Sequence, residues 1–174
     1  MRLLVINWLD RENPQAGGAE THLHEIYGRL ARKGHDVTLL CSGWPGCAPA
    51  VTLDGMQVHR VGGRWNFALH VIRAYYALRS RGGPFDMVVE DINKLPLFTP
   101  LWVRERVEVV VPHLFGWTAF REAGWMVAGT VVTAERAIPL VYRRCNFTAI
   151  SESTRSDLLA RRSEERRVGK ECVP

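Results

Sequence analysis

The chain has 174 residues, 47% of them hydrophobic and 24% charged, with a formal net charge of +5. That is enough apolar residue to core one globular domain, which sets aside the disordered and fibrous classes. The cations are spread along the sequence and form no aromatic-interleaved stripe, so nucleic acid is not expected as a partner, and a solvated surface accounts for the charge. Cys41, Cys47, Cys145 and Cys172 contain no CxxC pair, which argues against zinc and for a reducing, cytoplasmic setting. The apolar run after Met1 is too short for a signal-peptide core. The best candidate membrane span, Gly124 to Tyr142, is interrupted by Glu135-Arg136.

In chain order, the apolar run Arg2–Asn7 reads as a first strand, and Ala19–Lys33 as a helix with Leu23, Ile26, Tyr27, Leu30 and Ala31 on one stripe. Between them lies Pro14-Gln15-Ala16-Gly17-Gly18-Ala19-Glu20. A glycine pair before a helix start allows close backbone approach to a ligand, and the helix end offers unpaired N–H groups to an anion. A tight turn that uses glycine only for its backbone freedom is an equal alternative. His22, one turn beyond the pair, is placed to point at such a ligand. His24 is expected to be solvated, and the two histidines lie on different faces, so they cannot share one metal.

Gly34 ends the helix and leads into a second strand, Asp36–Cys41. The stretch Ser42 to Gly55, rich in Gly, Pro and Ala, reads as a surface loop. A third strand, Gln57–Val61, ends in Gly62-Gly63-Arg64-Trp65 and is followed by a helix over Phe67–Arg81. The fourth strand, Met87–Glu90, ends at Glu90 and Asp91, with Lys94 just beyond. These groups can bind hydroxyls or a phosphate, or Asp91 can cap a short helix expected over Leu97–Arg104. The fifth strand, Val107–Val111, is followed by Pro112-His113, where a histidine at a strand tip is placed to hydrogen-bond a substrate oxygen. A helix over Phe120–Arg143, a sixth strand over Phe147–Ile150 and a helix over Glu152–Arg161 complete the pattern. Ser151 reads as the N-cap of that last helix, with a second role facing a cleft left open.

Short Val/Ile/Leu strands alternating with helices specify an α/β fold: a Rossmann-like parallel sheet with helices on both faces. Ligands of such sheets sit beyond the carboxyl ends of the strands, where each segment singled out above is expected. Five segments, in this order and spacing, resemble the N-terminal domain of family 4 glycosyltransferases of GT-B fold: Gly17-Gly18-Ala19-Glu20, Arg32-Lys33-Gly34-His35-Asp36-Val37, Phe85-Asp86-Met87-Val88, Pro112-His113 and Ala149-Ile150-Ser151-Glu152-Ser153-Thr154. The resemblance covers Met1 to Arg161 and implies a retaining transferase that moves a sugar from a nucleotide-sugar donor to a sugar or lipid-linked acceptor. It implies that Gly17 and Gly18 approach the donor pyrophosphate and that His113 acts at the donor sugar. Glu90, Asp91, Lys94 and His22 would lie by the acceptor, and no metal or cofactor is called for. Trp44, Trp65, Trp117 and Trp125 could serve peripheral contact with the inner face of a membrane, although buried packing is the commoner fate of tryptophan.

Residues 162–172 have no apolar face and resemble the in-frame translation of a sequencing-adapter oligonucleotide. Residues 1–161 are therefore expected to be one acceptor-side domain, 162–174 a non-native tail, and the donor-binding domain with its paired glutamates to be missing. On that expectation the chain by itself is inactive. The competing expectation is a stand-alone Rossmann-like module that binds a phosphorylated small molecule without chemistry, since fold alone does not choose between the two.

Overall fold

The computed structural model describes residues 1–112, 133–134, 136–149, 151, 154–156 and 159. Seven strands form one sheet in the order β3-β4-β2-β1-β5-β6-β7. They are β1 (Arg2–Ile6), β2 (Asp36–Cys41), β3 (Ala50–Leu53), β4 (Met56–Arg60), β5 (Met87–Asp91), β6 (Val107–Val111) and β7 (Asn146–Ala149). Every pairing is parallel except β3 with β4. Two long helices are described, α1 (Gly18–Arg32) and α2 (Phe67–Gly82), and residues 136–141 are also helical.

The two-residue period of β1 divides the core. Leu3 and Val5 pack with Leu23 and Tyr27 of α1, while Leu4 and Ile6 pack with Phe67, Val71 and Tyr75 of α2. The helices therefore cover opposite faces, and β1 is buried on both, which explains its unbroken apolar run. Each fully buried Leu or Ile contributes roughly 1.5–3 kcal/mol over an exposed one. Without β3, the strand order is the doubly wound pattern, and it reverses between β1 and β5. The carboxyl ends of those two strands are thus where a ligand crevice is expected.

Two expectations are corrected. The Ser42–Gly55 stretch contains β3, an edge strand paired antiparallel with β4 through a two-residue turn in which Leu53 faces Met56. Asp54 and Gly55 have φ of 53° and 87°, the left-handed pair of a type I′ hairpin turn. That turn presses on α1 at Gly28, where an added Cβ would come within 2.9 Å of Asp54 Cβ. The helix expected over Leu97–Arg104 is a single 3-10 turn, Thr99–Leu101. Phe98 is left-handed at φ 54° and Trp102 leaves the helical region at φ −136°, which confines the helical backbone to the three residues between them, while the N–H groups of Leu97 and Thr99 are donated to Glu90.

Candidate functional site

The switch point is built from the last residues of β1 and β5. Ile6 pairs with Glu90, so Asn7 and Asp91 are the next residues on adjacent strands. Strand alternation sends Glu90 and Asp91 to opposite faces.

Glu90 is 1% exposed, and its carboxylate accepts from Leu97 N (2.6 Å), Thr99 N (3.1 Å), the Thr99 hydroxyl and the Tyr142 hydroxyl (2.7 Å). Burial raises its pKa, and the hydrogen bonds from Thr99, Leu97 and Tyr142 pull it back. The same carboxylate and burial hold the Tyr142 phenol well above its ordinary range. Glu90 was expected beside an acceptor. Its oxygens are instead occupied by the protein, and it fixes the 93–99 loop and ties that loop to Tyr142.

Asp91 is 3% exposed, and its Oδ1 has no partner among the described residues. Asn7 Oδ1 and Asn93 Oδ1 are in the same condition. Their amide N–H groups are engaged: Asn7 Nδ2 donates to Leu9 O (2.8 Å) and Asn93 Nδ2 to Glu20 Oε1 (2.6 Å). A buried acceptor without a donor costs about 1–3 kcal/mol, so three at one strand end need an explanation. Burial, then the charges of Glu20 and Glu90, push the Asp91 carboxyl up to about 7. Asp91 in turn adds to the burial that raises the Tyr27 phenol. Lys94, half-buried beyond the strand, is lowered by desolvation and by Arg64, with Glu20 opposing.

Glu20 organises the glycine turn. It is buried in the first turn of α1, and its Oε2 accepts from Gly17 N (2.7 Å), the returning half of a capping box. Gly17 has no side chain to complete that box. Its N–H, expected to face a phosphate, is therefore already taken by Glu20. The next N–H groups, at Gly18 and Ala19, lie in the first turn, where no intrahelical acceptor precedes them. Gly17 has φ −136°, a value open to any residue. Among the described residues beyond its chain neighbours, a Cβ at Gly17 would meet only Glu20 Oε2 at 3.8 Å, and one at Gly18 would meet nothing within 4 Å outside its own helix backbone. Backbone freedom is thus not what Gly17 supplies; the pair leaves open space above the helix start.

A second buried polar cluster lies across the sheet at the ends of β2 and β4. Asp10 Oδ2 accepts from Arg60 Nε (2.7 Å) and the Cys41 thiol (3.3 Å), and Asp10 Oδ1 from Glu12 N (2.8 Å) and Arg60 Nη2 (3.3 Å). Arg60 also reaches Glu12 (2.7 Å) and lies under the Trp44 ring at 4.4 Å. Burial and Asp10 hold the Cys41 thiol well above its ordinary range, so it is not poised as a nucleophile.

His22 is half-buried one turn into α1. His24, expected in solvent, is buried: Nδ1 lies 2.8 Å from Asp54 Oδ2, and Nε2 accepts from Arg11 N at 3.3 Å. It joins the β3–β4 turn to α1. Ser151 accepts from Thr154 N at 3.2 Å, as an N-cap does, and the Thr154 hydroxyl donates to the Pro112 carbonyl (3.1 Å) at the end of β6. His113, Trp117, Trp125 and residues 162–174 lie outside the described residues. Asn7, Asn93 and Glu20 were not named from sequence as site residues. The signal for Asn7 was its place as the first polar residue after an apolar strand. A cavity of about 350 Å³ lies between Val107, Arg143 and Asn146, at the amino ends of β6 and β7, far from the strand ends that carry these groups. Among the described residues, no His/Cys/Asp/Glu group is arranged to hold a metal, and no helix is long and apolar enough to cross a membrane.

Residues 16–168 match Glycosyltransferase Family 4, and the chain belongs to that family. Among solved structures it is similar to sucrose-phosphate synthase from Thermosynechococcus elongatus, with a TM-score of 0.58 at 12% identity. That match covers 86% of this chain and 48% of the synthase, so the chain spans about half of that relative's length. A short-chain dehydrogenase/reductase from Burkholderia vietnamiensis is similar at a TM-score of 0.48 and 16% identity, covering 88% of this chain and 85% of the other. No curated protein matches.

Proposed function

We propose that this family 4 glycosyltransferase domain forms the acceptor side of a retaining transferase that takes its sugar from a nucleotide-sugar donor. The observation that carries the reading is the set of three buried, unpartnered oxygens of Asn7, Asp91 and Asn93 at the switch point, beside the open turn at Gly17-Gly18. Oxygens that lack donors are suited to hydroxyl-rich ligands, because each sugar hydroxyl brings the missing proton. In this reading Asn7, Asp91 and Asn93 orient the acceptor hydroxyls. Gly18 and Ala19 turn their N–H groups toward the donor diphosphate, and Lys94 offsets its charge. Glu90 acts through the 93–99 loop, and His113 faces the donor sugar. Charge on the leaving phosphate falls to the α1 terminus and Lys94, so the reading calls for no metal. A second domain supplies the nucleotide pocket.

The test is to read the source gene across and beyond codon 161 and express the full frame with a panel of nucleotide sugars and acceptors. Turnover is expected, with the anomeric configuration of the donor kept in the product by NMR. A frame that ends without a second α/β domain, together with binding of a phosphorylated compound but no transfer, would favour the stand-alone binding module.

A further inference from the structure

The cavity at the amino ends of β6 and β7 shares no residue with the crevice proposed for sugar transfer. Its volume of about 350 Å³ falls within the range of about 300–1,000 Å³ that small-molecule sites occupy. Val107, the first residue of β6, lines it with Val103 from the preceding loop and Val141 and Cys145 from the segment that leads into β7. These four give it an apolar wall. Burial, then the charges of Glu90 and Glu108, raises the Cys145 thiol, so the sulfur stays protonated and belongs to that neutral wall.

The charge left over at the cavity has one sign. Glu105, the carboxylate among the described lining residues, is committed elsewhere: it accepts from the Tyr75 hydroxyl and from Arg79 Nε (2.7 Å). Arg106 is held by Glu108 at 2.6 Å, and Asn146 Nδ2 donates to the same Glu108 oxygen at 3.1 Å. Arg143 and Arg144 also line the cavity, and neither has an ion pair or hydrogen-bonded side chain among the described residues. Both are exposed, and they follow one another in the turn between the 136–141 helix and β7. Cations near the end of a helix complement its dipole, which accounts for arginine close to residue 141. That does not account for two adjacent guanidiniums beside a concavity with an apolar wall.

We infer that this cavity is a second binding site, which takes a small phosphate monoester with an apolar body, the phosphate on the Arg143 and Arg144 guanidiniums and the body against Val103, Val107 and Val141. A guanidinium meets phosphate oxygens through two parallel N–H donors, and a dianion beside two arginines offsets their mutual repulsion. A neutral ligand leaves that repulsion in place, and a cation adds to it. The apolar wall gives the rest of the molecule a surface that a free inorganic anion does not use. The site stands at the opposite end of the strands from the glycine turn and the open oxygens, and it is read without turnover. Its failure therefore leaves the transferase reading standing, and the reverse holds.

The experiment is titration of the isotope-labelled chain with phenyl phosphate, followed by its amide shifts. Saturating shifts are expected at Val103, Val107, Cys145 and Asn146, with a Kd of about 1 mM or below. Phenol and inorganic phosphate each carry one half of the ligand, and each should bind at these amides at least about tenfold more weakly. Arg143→Glu with Arg144→Glu should weaken phenyl phosphate by about tenfold or more, with unchanged circular dichroism because both side chains are exposed. No shift at these amides up to about 10 mM would overturn the inference, as would shifts confined to residues 18–20, which would put the phosphate at the glycine turn. So would equal binding of phenol or of inorganic phosphate, or full binding by the double arginine variant.

Discussion

Two clusters of buried polar groups stand at the carboxyl end of this sheet, and they differ in how completely they are satisfied. The Asp10–Arg60 cluster is closed: both carboxylate oxygens accept from described donors, and the guanidinium is shared with Glu12 and stacked on Trp44. The Asn7–Asp91–Asn93 cluster is open, with three buried oxygens that accept nothing from the described residues. A closed network fixes the backbone that carries it, whereas an open one keeps a capacity for something from outside. Glu90 shows the contrast one residue away from Asp91. It follows that substitutions in closed positions should damage folding, and substitutions in open positions should damage binding while sparing or improving stability.

The largest effect is expected at Glu90. Glu90→Ala removes the acceptor of two backbone N–H groups and two hydroxyls and leaves a void, so a loss of roughly 3–5 kcal/mol is expected in urea unfolding. A loss below about 1 kcal/mol would mean that the 93–99 loop is held by something else. Arg60→Met comes next, with about 3 kcal/mol expected, because Asp10 is left buried beside a thiol without its cation. Joint replacement of Asp10 and Arg60 by apolar residues should recover part of that loss, and a double-mutant cycle would measure how much.

The comparison also shows what the sequence made legible. The alternating strands and helices of an α/β sheet were readable because β1, β2 and β5 are apolar on both faces, and glycine and charge mark their ends. The strand β3 was missed although Asp54-Gly55 is a hairpin signal, because the Gly, Pro and Ala before it outweighed its four residues. The helix expected over Leu97–Arg104 failed because Phe98 takes a left-handed φ of 54° and Trp102 a φ of −136°, so only Thr99–Leu101 between them keeps helical backbone. Within the site, position along the chain was readable and satisfaction was not. Glu90 and Asp91 look equivalent in sequence, and only the direction of alternate side chains separates the spent carboxylate from the vacant one. His24 was misread for the same reason, since its partner Asp54 comes from a hairpin thirty residues away.

Asp91 tests the open side. Its carboxyl sits at about 7 in the folded chain against an ordinary value of 3.8. The folded state therefore holds a proton that the unfolded state releases between about pH 4 and pH 7, and stability should decline as pH rises through that window and level off above it. Asp91→Asn should flatten the slope, leaving the share of the raised Glu90 carboxyl, and gain roughly 1–3 kcal/mol at pH 8. In the full enzyme the same change should raise the acceptor KM. A pH-independent parent, or a destabilised variant, would put Asp91 among the closed positions.

The smallest effect on folding, and the sharpest separation from binding, is expected at Gly18. Apart from its chain neighbours and its own helix backbone, no atom of the described residues lies within 4 Å of where its Cβ would be, and as the first residue of α1 it gains helix propensity on replacement. Gly18→Ala and Gly18→Val should both change stability by less than about 0.5 kcal/mol in thermal melts. The anion-site reading makes a different demand on the same atoms. A side chain in that open space covers the N–H groups of Gly18 and Ala19, so Gly18→Val should weaken the binding of inorganic pyrophosphate, followed by the amide shifts of residues 18–20, by about tenfold or more. Gly17→Ala supplies the control. Its N–H is already held by Glu20, and a smaller loss is expected there than at Gly18. Equal losses at both positions would mean that Glu20 moves aside for the anion, and unchanged binding at Gly18 would remove the turn from the site and leave the open oxygens of Asn7, Asp91 and Asn93 to carry recognition alone.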